Sequence, residues 1–365
     1  MKPIRGFFQS KTNRLIGIAI MISSLVVTII LCALSAQLKQ VEAQCWRNTP
    51  CKGPAQPSFT GAWDKNNFSP ATRILSPLRV LHEDGTLINS WNDTANSQSF
   101  PSGPLLVFDF GKEVGGIVTI TYAAKGNGTV GVSFTEAKNW TGVYSDDSNG
   151  AFNTDGQGHA DGFLSFAVSN TSAANWTLPD AQMRGGFRYL SLNNANKIDL
   201  KILNIKIDLS FQPEWPNLRA YGGYFDSNDD LLNKIWYAGA YTLQTNAIPH
   251  NTGRVFPIIS PGWINDADIS VGTGAKTIYV DGSKRDRTVW AGDLAIAVPS
   301  ILVSTGDVDG VRNTLNVMYA DQVIIIPLNE QCAFLTDSSE MMAVSHSPDQ
   351  ISTLIAQTPT IWRVL

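Results

Sequence analysis

Short runs of alternating hydrophobic and polar residues fill the first half of the chain. Between residues 54 and 215 Gly, Asn and Pro interrupt these runs, which favours strands joined by tight turns. The runs lie at residues 105–110, 116–122, 129–134, 163–168, 187–192 and 198–209. In the last of them the alternation slips by one residue between Ile202 and Ile205, which predicts a β-bulge. The segment 54–215 is therefore predicted to be a jelly-roll-like β-sandwich of two antiparallel sheets.

The hydrophobic period changes after Pro213 and Pro216, where we place the domain boundary. From Phe225 onward apolar residues recur about every three to four positions, which predicts helices. The first helix is expected to be capped by Ser227, with Asp230 three residues on. One face of that helix should carry Leu232, Ile235, Trp236, Gly239 and Leu243. Further helices are predicted at 292–303, kinked by Pro299, and at 308–320. Residues 323–327 suggest a strand, and the tail 323–365 has no assigned role.

The N-terminus has the pattern of a membrane-targeting element. Lys2, Arg5, Lys11 and Arg14 precede an apolar run over residues 15–36. Residues 1–43 are thus predicted to be either a cleaved signal peptide or an uncleaved signal anchor, because 22 apolar residues are also long enough to span a bilayer. Both alternatives place the domains in the secretory lumen or outside the cell, and the membrane is contacted only through this segment.

Sequons and cysteines agree with that compartment. Six Asn-x-Ser/Thr sequons are candidate glycosylation sites, at Asn67, Asn92, Asn127, Asn139, Asn170 and Asn175. Cys45 and Cys51 are close enough in sequence to close a small loop in an oxidising environment, and we expect a disulfide between them.

Charge and ligand chemistry narrow the classes of partner. The net charge of −4 provides no basic field for a phosphate backbone, so no nucleic-acid partner is expected. A polar uncharged substrate fits the composition better. With four His and no CxxC motif, neither a metal site nor a cofactor is predicted.

The densest polar cluster lies at residues 281–293, with the sequence DGSKRDRTVWAGD. A carboxyl group held among other charges can be tuned to protonate a glycosidic oxygen, and neighbouring acids can hydrogen-bond to sugar hydroxyls. A Trp can lie against the apolar face of a sugar ring. The alternative is a solvated charged loop that precedes a helix, with Asp293 placed favourably for the helix dipole.

This stretch resembles the signature of the α-L-rhamnosidases of glycoside hydrolase family 78, D-x-x-x-R-D-E-R-x-x-W-x-G-D, and is closest to the variant of fungal members. Residues 108–116 and 186–189 resemble segments of the family's β-sandwich, and residues 225–236 resemble the first helix of its (α/α)6 six-hairpin barrel. The resemblance covers roughly residues 75–322. It implies an incomplete catalytic domain at 225–322 and a rhamnose-containing glycoside or polysaccharide as the partner.

The resemblance also implies roles for five residues. Members of the family hydrolyse terminal α-L-rhamnosyl groups with inversion, using one acid to protonate the leaving oxygen and a distant carboxylate to activate water. Asp286 takes the place of the general acid, although it matches the preceding Asp of the pattern equally well because this loop is one residue shorter. Asp281 and Asp293 would bind sugar hydroxyls, Arg285 would hold the acids, and Trp290 would line the pocket.

The family's general base lies well downstream of the matched residues. Because a twelve-helix barrel needs on the order of 300 residues, we expect this chain to be an incomplete and inactive fragment. Two other hypotheses stay open, namely a secreted non-catalytic carbohydrate-binding protein that uses the β-sandwich and a structural remnant without a ligand.

Overall fold

The computed structural model describes residues 45–47, 49–91, 97–100, 103–148, 161–254, 263–269 and 277–325. The segment 1–43, Asn92 and the tail beyond 325 lie outside the described residues. The strands are β1 (Ile74–Leu75), β2 (Arg79–Leu81), β3 (Leu87–Ser90), β4 (Gln98–Ser99), β5 (Leu105–Lys125), β6 (Gly128–Thr135), β7 (Leu164–Val168), β8 (Thr171–Thr177), β9 (Arg184–Asn193), β10 (Asp199–Leu209), β11 (Ala247–Pro249) and β12 (Thr277–Tyr279). The α-helices are α1 (Asp230–Thr245), α2 (Ala291–Val303) and α3 (Val308–Ile325).

One antiparallel sheet of ten strands, β1 to β10, forms the first half of the structure. The two separate sheets predicted from the sequence are joined, because β5 is long enough to pair with four strands. Its first part pairs with β2 and β9, and its second part pairs with β8 and β10. Gly111, at φ +78°, lies where the pairing with β9 is interrupted, a conformation that favours glycine. The sheet therefore curls upon itself.

The predicted bulge is confirmed. The register between β10 and β5 shifts between Ile202 and Asn204, and the side chains of Ile202 and Ile205 are both fully buried. The extra residue restores the inward direction of the apolar side chains after the slip in the sequence.

The hydrophobic core of the sheet continues beyond residue 215. Tyr237, Ala240 and Tyr241 of α1 belong to the same buried cluster as the strand residues, and so does Trp263. Arg73 fixes the segment that connects β10 to α1. Its buried guanidinium donates hydrogen bonds to four backbone oxygens, those of Leu209, Phe211, Gln212 and Trp215. The first helix and the sheet therefore share one packed interior, and the boundary between 215 and 225 stays a prediction.

The cap of α1 differs from the prediction. Asp229, not Ser227, is the N-cap, and its carboxylate accepts hydrogen bonds from Leu231 N at 2.8 Å and Leu232 N at 3.1 Å. Ser227 lies before the helix and bonds to the side chain of Asn233. A carboxylate at the N-cap also favours the helix dipole, so Asp229 outcompetes the hydroxyl two residues earlier.

The end of α3 also differs. Residues 323–325 continue the helix, so the strand predicted from 323 is wrong at these positions. Three β-branched residues in a row mimic a strand, but an established helix can extend through them. The described residues contain three α-helices, too few to close a ring, so they do not form the (α/α)6 toroid. No helix among the described residues is long and apolar enough to cross a membrane.

Candidate functional site

The polar loop of residues 281–290, here called the signature loop, connects β12 to α2. Its start is tied to the end of α1, because Val280 N donates to Asn246 O at 3.1 Å. Asp281 then closes the loop by pairing with Thr288. The backbone N of Asp281 donates to Thr288 O at 3.1 Å, and Thr288 N donates to Asp281 Oδ1 at 3.1 Å. The loop is therefore a closed unit held at both ends.

Arg287 fills the inside of this loop. Its side chain is fully buried, and its guanidinium donates to Thr252 O at 2.6 Å, Ser283 O at 2.6 Å and Thr252 Oγ1 at 3.0 Å. Burial lowers the pKa of Arg287 to about 9. Asp286 and Arg287 adopt φ values of +55° and +56°, which non-glycine residues rarely adopt. Such a backbone persists only where its surroundings fix it, and the buried guanidinium provides that fixation.

The sheet holds the outer side of the loop. Ser283 Oγ donates to Glu113 Oε1 at 2.7 Å, and Lys284 Nζ lies 2.7 Å from Glu136 Oε2 and 3.3 Å from Asp146 Oδ2. Lys284 and Arg287 are thus structural cations. Arg285 differs from both, because its side chain is 61% exposed and its Nε lies 3.6 Å from Asp286 Oδ1.

Two neighbouring carboxylates act on Asp281 at this loop. Burial, together with the negative charges of Asp286 and Asp293, raises the pKa of Asp281 to about 7. The backbone N of Asp286 is fixed by Ser148 O at 3.2 Å. Asp293 lies in the exposed first turn of α2. Of the described carboxyl groups of this loop, Asp281 is the one in which burial and neighbouring charge combine to favour the protonated form at neutral pH.

A groove of about 630 Å³ runs between α1 and α2 and has Asp281 and Asp293 in its lining. Apolar residues supply most of the remaining lining, among them Trp236, Leu243 and Ile296. Arg285, Asp286 and Trp290 are not among the described lining residues. Trp290 is the half-buried N-cap residue of α2. The structure thus brings Asp281 and Asp293 to one groove and leaves the other three predicted site residues outside its lining.

Sequence reasoning missed two residues that shape the loop. Arg254 is buried, donates to Ser148 Oγ at 2.6 Å and lies near the charges of Asp286 and Asp281, while burial lowers its pKa to about 10. Nothing in its local sequence signals this position. Glu113 has a pKa raised by burial and accepts the hydrogen bond from Ser283. It lies inside the segment 108–116, so the resemblance there was a usable signal.

The remaining predicted sites lie away from the loop. Cys45 and Cys51 are joined by a disulfide, with their Cα atoms 5.5 Å apart. Four of the sequon asparagines are exposed, and these are Asn127, Asn139, Asn170 and Asn175. Asn67 is half-buried, with its Oδ1 accepting from Ser69 N at 2.9 Å. Within the described ranges, no group of three or more His, Cys, Asp or Glu side chains is placed to hold a metal ion.

No family model matches the chain, and no curated protein matches it. Solved structures that are similar to part of it include three rhamnosidases. A rhamnosidase from Klebsiella oxytoca with rhamnose bound has 17% identity and a TM-score of 0.41, and the match covers 69% of this chain and 44% of that one. A family 78 rhamnosidase from Bacillus sp. GL1 has 20% identity and a TM-score of 0.42, covering 62% of this chain and 19% of that one, and an α-L-rhamnosidase from Dictyoglumus thermophilum has 13% identity and a TM-score of 0.36, covering 68% and 22%. The chain spans less than half the length of each.

All three organisms are bacteria, so the closeness to fungal members stays a prediction.

Proposed function

We propose that this chain carries the proton-donating and sugar-binding part of an inverting α-L-rhamnosidase of glycoside hydrolase family 78. The observation that supports the proposal most is the half-buried Asp281, with a pKa of about 7, which lines a groove together with Asp293 and feels the charge of Asp286 from outside that lining. A carboxylic acid that holds its proton near neutral pH can protonate a leaving glycosidic oxygen.

In the proposed reaction the bond between the rhamnosyl anomeric carbon and the leaving oxygen breaks. The acid gives its proton to that oxygen, and water attacks the opposite face after losing a proton to a second carboxylate about 6.5–9.5 Å from the acid. The sequence resemblance assigns the proton donor to Asp286, whereas the electrostatics of the loop favour Asp281. Asp293, in the same groove, would accept hydrogen bonds from sugar hydroxyls.

The experiment separates these two acids by the leaving group of the substrate. Asp281→Asn and Asp286→Asn are compared on an alkyl α-L-rhamnoside, whose leaving group needs protonation, and on a nitrophenyl α-L-rhamnoside, whose leaving group does not. The general acid is the residue whose loss abolishes turnover of the alkyl rhamnoside but spares the nitrophenyl rhamnoside. If that residue is Asp281, wild-type activity also falls as the pH rises through about 7, because the protonated form is lost.

Asp309→Asn is the matched control, since Asp309 is an exposed acid in the first turn of α3. Proton NMR of the released sugar identifies inversion. Equal and measurable turnover by both variants and the wild type would refute the proposal. In a wild type without turnover, which the incomplete catalytic domain predicts, rhamnose binding that is the same in both variants and in the wild type would refute it.

A further inference from the structure

Three exposed aromatic side chains lie in the segments that follow β6 and precede β7. Trp140 is 73% exposed, Phe163 48% and Tyr144 44%. The rings of Tyr144 and Phe163 are in contact, with centroids 5.9 Å apart and planes tilted by 56°. Single exposed aromatic residues are common, but two whose rings contact each other, with a third four residues from Tyr144 in sequence, suggest a binding surface. We call Trp140, Tyr144 and Phe163 the aromatic platform.

The backbone that carries the platform is fixed by hydrogen bonds to the sheet. Ser133 Oγ donates to Gly142 O at 2.6 Å, and Ser145 N donates to Gly162 O at 2.7 Å. Phe134 N donates to Ser145 Oγ at 3.1 Å. The rings are therefore presented by an ordered backbone, which lowers the entropy lost when a ligand is bound.

The same segment is bonded directly to the signature loop. Lys284 bridges Glu136 and Asp146, which flank Trp140 and Tyr144 in sequence, and Asp286 N donates to Ser148 O at 3.2 Å. A ligand that occupies the signature loop and extends across this contact reaches the segment from 136 to 148. The segment that carries Trp140 and Tyr144 is thus joined to the signature loop by three polar contacts.

The chemistry of the platform selects a neutral glycan. Aromatic rings offer broad apolar faces, and a Tyr hydroxyl or Trp indole adds a polar edge. Sugar rings are complementary, because their C–H faces are apolar and their rims carry hydroxyls. Rhamnose is a 6-deoxy sugar, and its methyl group adds to the apolar surface.

We propose that the aromatic platform binds the glycan chain to which the terminal rhamnosyl group is attached, and so favours polymeric over small substrates. This inference rests on the proposed function for the identity of the terminal sugar. The binding of the polymer itself does not require hydrolysis, so the two ideas can fail separately.

The test measures binding of a neutral polysaccharide with α-L-rhamnosyl side groups to the full chain by isothermal titration calorimetry. Free L-rhamnose and the rhamnose-free polymer pullulan are measured in parallel. Trp140→Ala and the double variant Tyr144→Ala/Phe163→Ala should weaken polysaccharide binding at least about tenfold, which corresponds to about 1.4 kcal/mol. Binding of free rhamnose should not change. Phe59→Ala is the matched control, as Phe59 is 51% exposed and outside the platform.

Equal affinities of Trp140→Ala and Phe59→Ala for the polysaccharide would overturn the inference. Polysaccharide binding that appears only in Asn139→Gln would also overturn the inference, because the glycan attached to Asn139 would then cover the platform in the wild type. Polysaccharide binding that depends on Trp140 in a protein that neither binds nor cleaves small rhamnosides would support the platform and refute the proposed function.

Discussion

Replacement of Gly185 by Ala should displace the signature loop. Gly185 lies in β9, and a methyl group on its Cα would overlap the backbone oxygen of Ser283 and the guanidinium of Arg287. Because Ser283 O belongs to the backbone and would lie 1.9 Å from the new methyl group, the loop would have to move by roughly 1.5 Å to restore an ordinary contact. The Arg287 hydrogen bonds that hold the loop would stretch at the same time.

The expected cost has two parts. Overpacking of this kind costs about 1–3 kcal/mol, and weakened hydrogen bonds of the buried Arg287 add about 1 kcal/mol. We therefore expect the free energy of unfolding to fall by about 3 kcal/mol, measured by urea denaturation. A displacement of about 1.5 Å should also lower rhamnoside turnover or binding by at least about a hundredfold under conditions where the variant is folded.

Gly131→Ala is the matched control. Gly131 lies in β6, and its added methyl group would meet Asn193 Cβ at 3.3 Å, which requires a shift of only a few tenths of an ångström away from the signature loop. We expect a loss of about 1 kcal/mol or less and nearly normal function. If both variants behave alike, the close approach of β9 does not position the loop and this account of the site is wrong.

Three further predictions follow from other parts of the molecule. Burial raises the pKa of Asp307 to about 6. The protonated carboxyl group therefore contributes on the order of 3 kcal/mol to the free energy of unfolding below about pH 4, and this contribution is lost as the pH rises through 6. Asp307→Asn should flatten this pH dependence, measured by urea denaturation between about pH 4 and 7. Reduction of the Cys45–Cys51 disulfide should cost about 2 kcal/mol, measured by thermal denaturation with Cys45→Ser/Cys51→Ser as the comparison, and an unchanged midpoint would contradict it. The exposed asparagines Asn127, Asn139, Asn170 and Asn175 should be glycosylated more fully than Asn67 when the chain passes through the secretory pathway, and mass spectrometry after enzymatic deglycosylation would show equal occupancy if exposure were irrelevant.

The strands were predictable because their burial follows simple alternation. In β10 the side chains of Leu200, Ile202, Ile205 and Ile207 are buried as the sequence pattern indicates. The continuity of β5 was not predictable, since the glycines at 111, 115 and 116 resemble turn signals in a single sequence. Its pairing with strands on both sides keeps the chain extended through these glycines.

The buried face of α1 shows where hydrophobic periodicity fails. The apolar face predicted from Leu232, Ile235 and Leu243 is only partly covered, and Ile235 is 58% exposed. The sheet instead packs against the opposite face, where Tyr241 OH donates to Glu113 O at 2.6 Å and Gln244 Nε2 donates to Leu218 O at 2.7 Å. Polar side chains with satisfied hydrogen bonds can be buried, and no periodicity scale shows their distant partners.

The candidate site was predictable as a sequence segment but not as an arrangement. The charged loop was identified, yet the sequence treats Lys284 and Arg287 as equivalent to Arg285. Only the structure separates the two cations that hold the loop from the one that faces solvent.

The length of β5 has a consequence for the synthesis of the protein. β5 ends at Lys125, whereas its partner β10 ends at Leu209, 84 residues later. At a translation rate of about 5–20 residues per second, β5 waits roughly 4–17 seconds for its last partner to emerge from the ribosome. During that time the unpaired backbone N–H and C=O groups along its edge can pair with other nascent chains. The four exposed sequons all lie in this interval, so glycans attached there would shield the unfinished sheet while it waits.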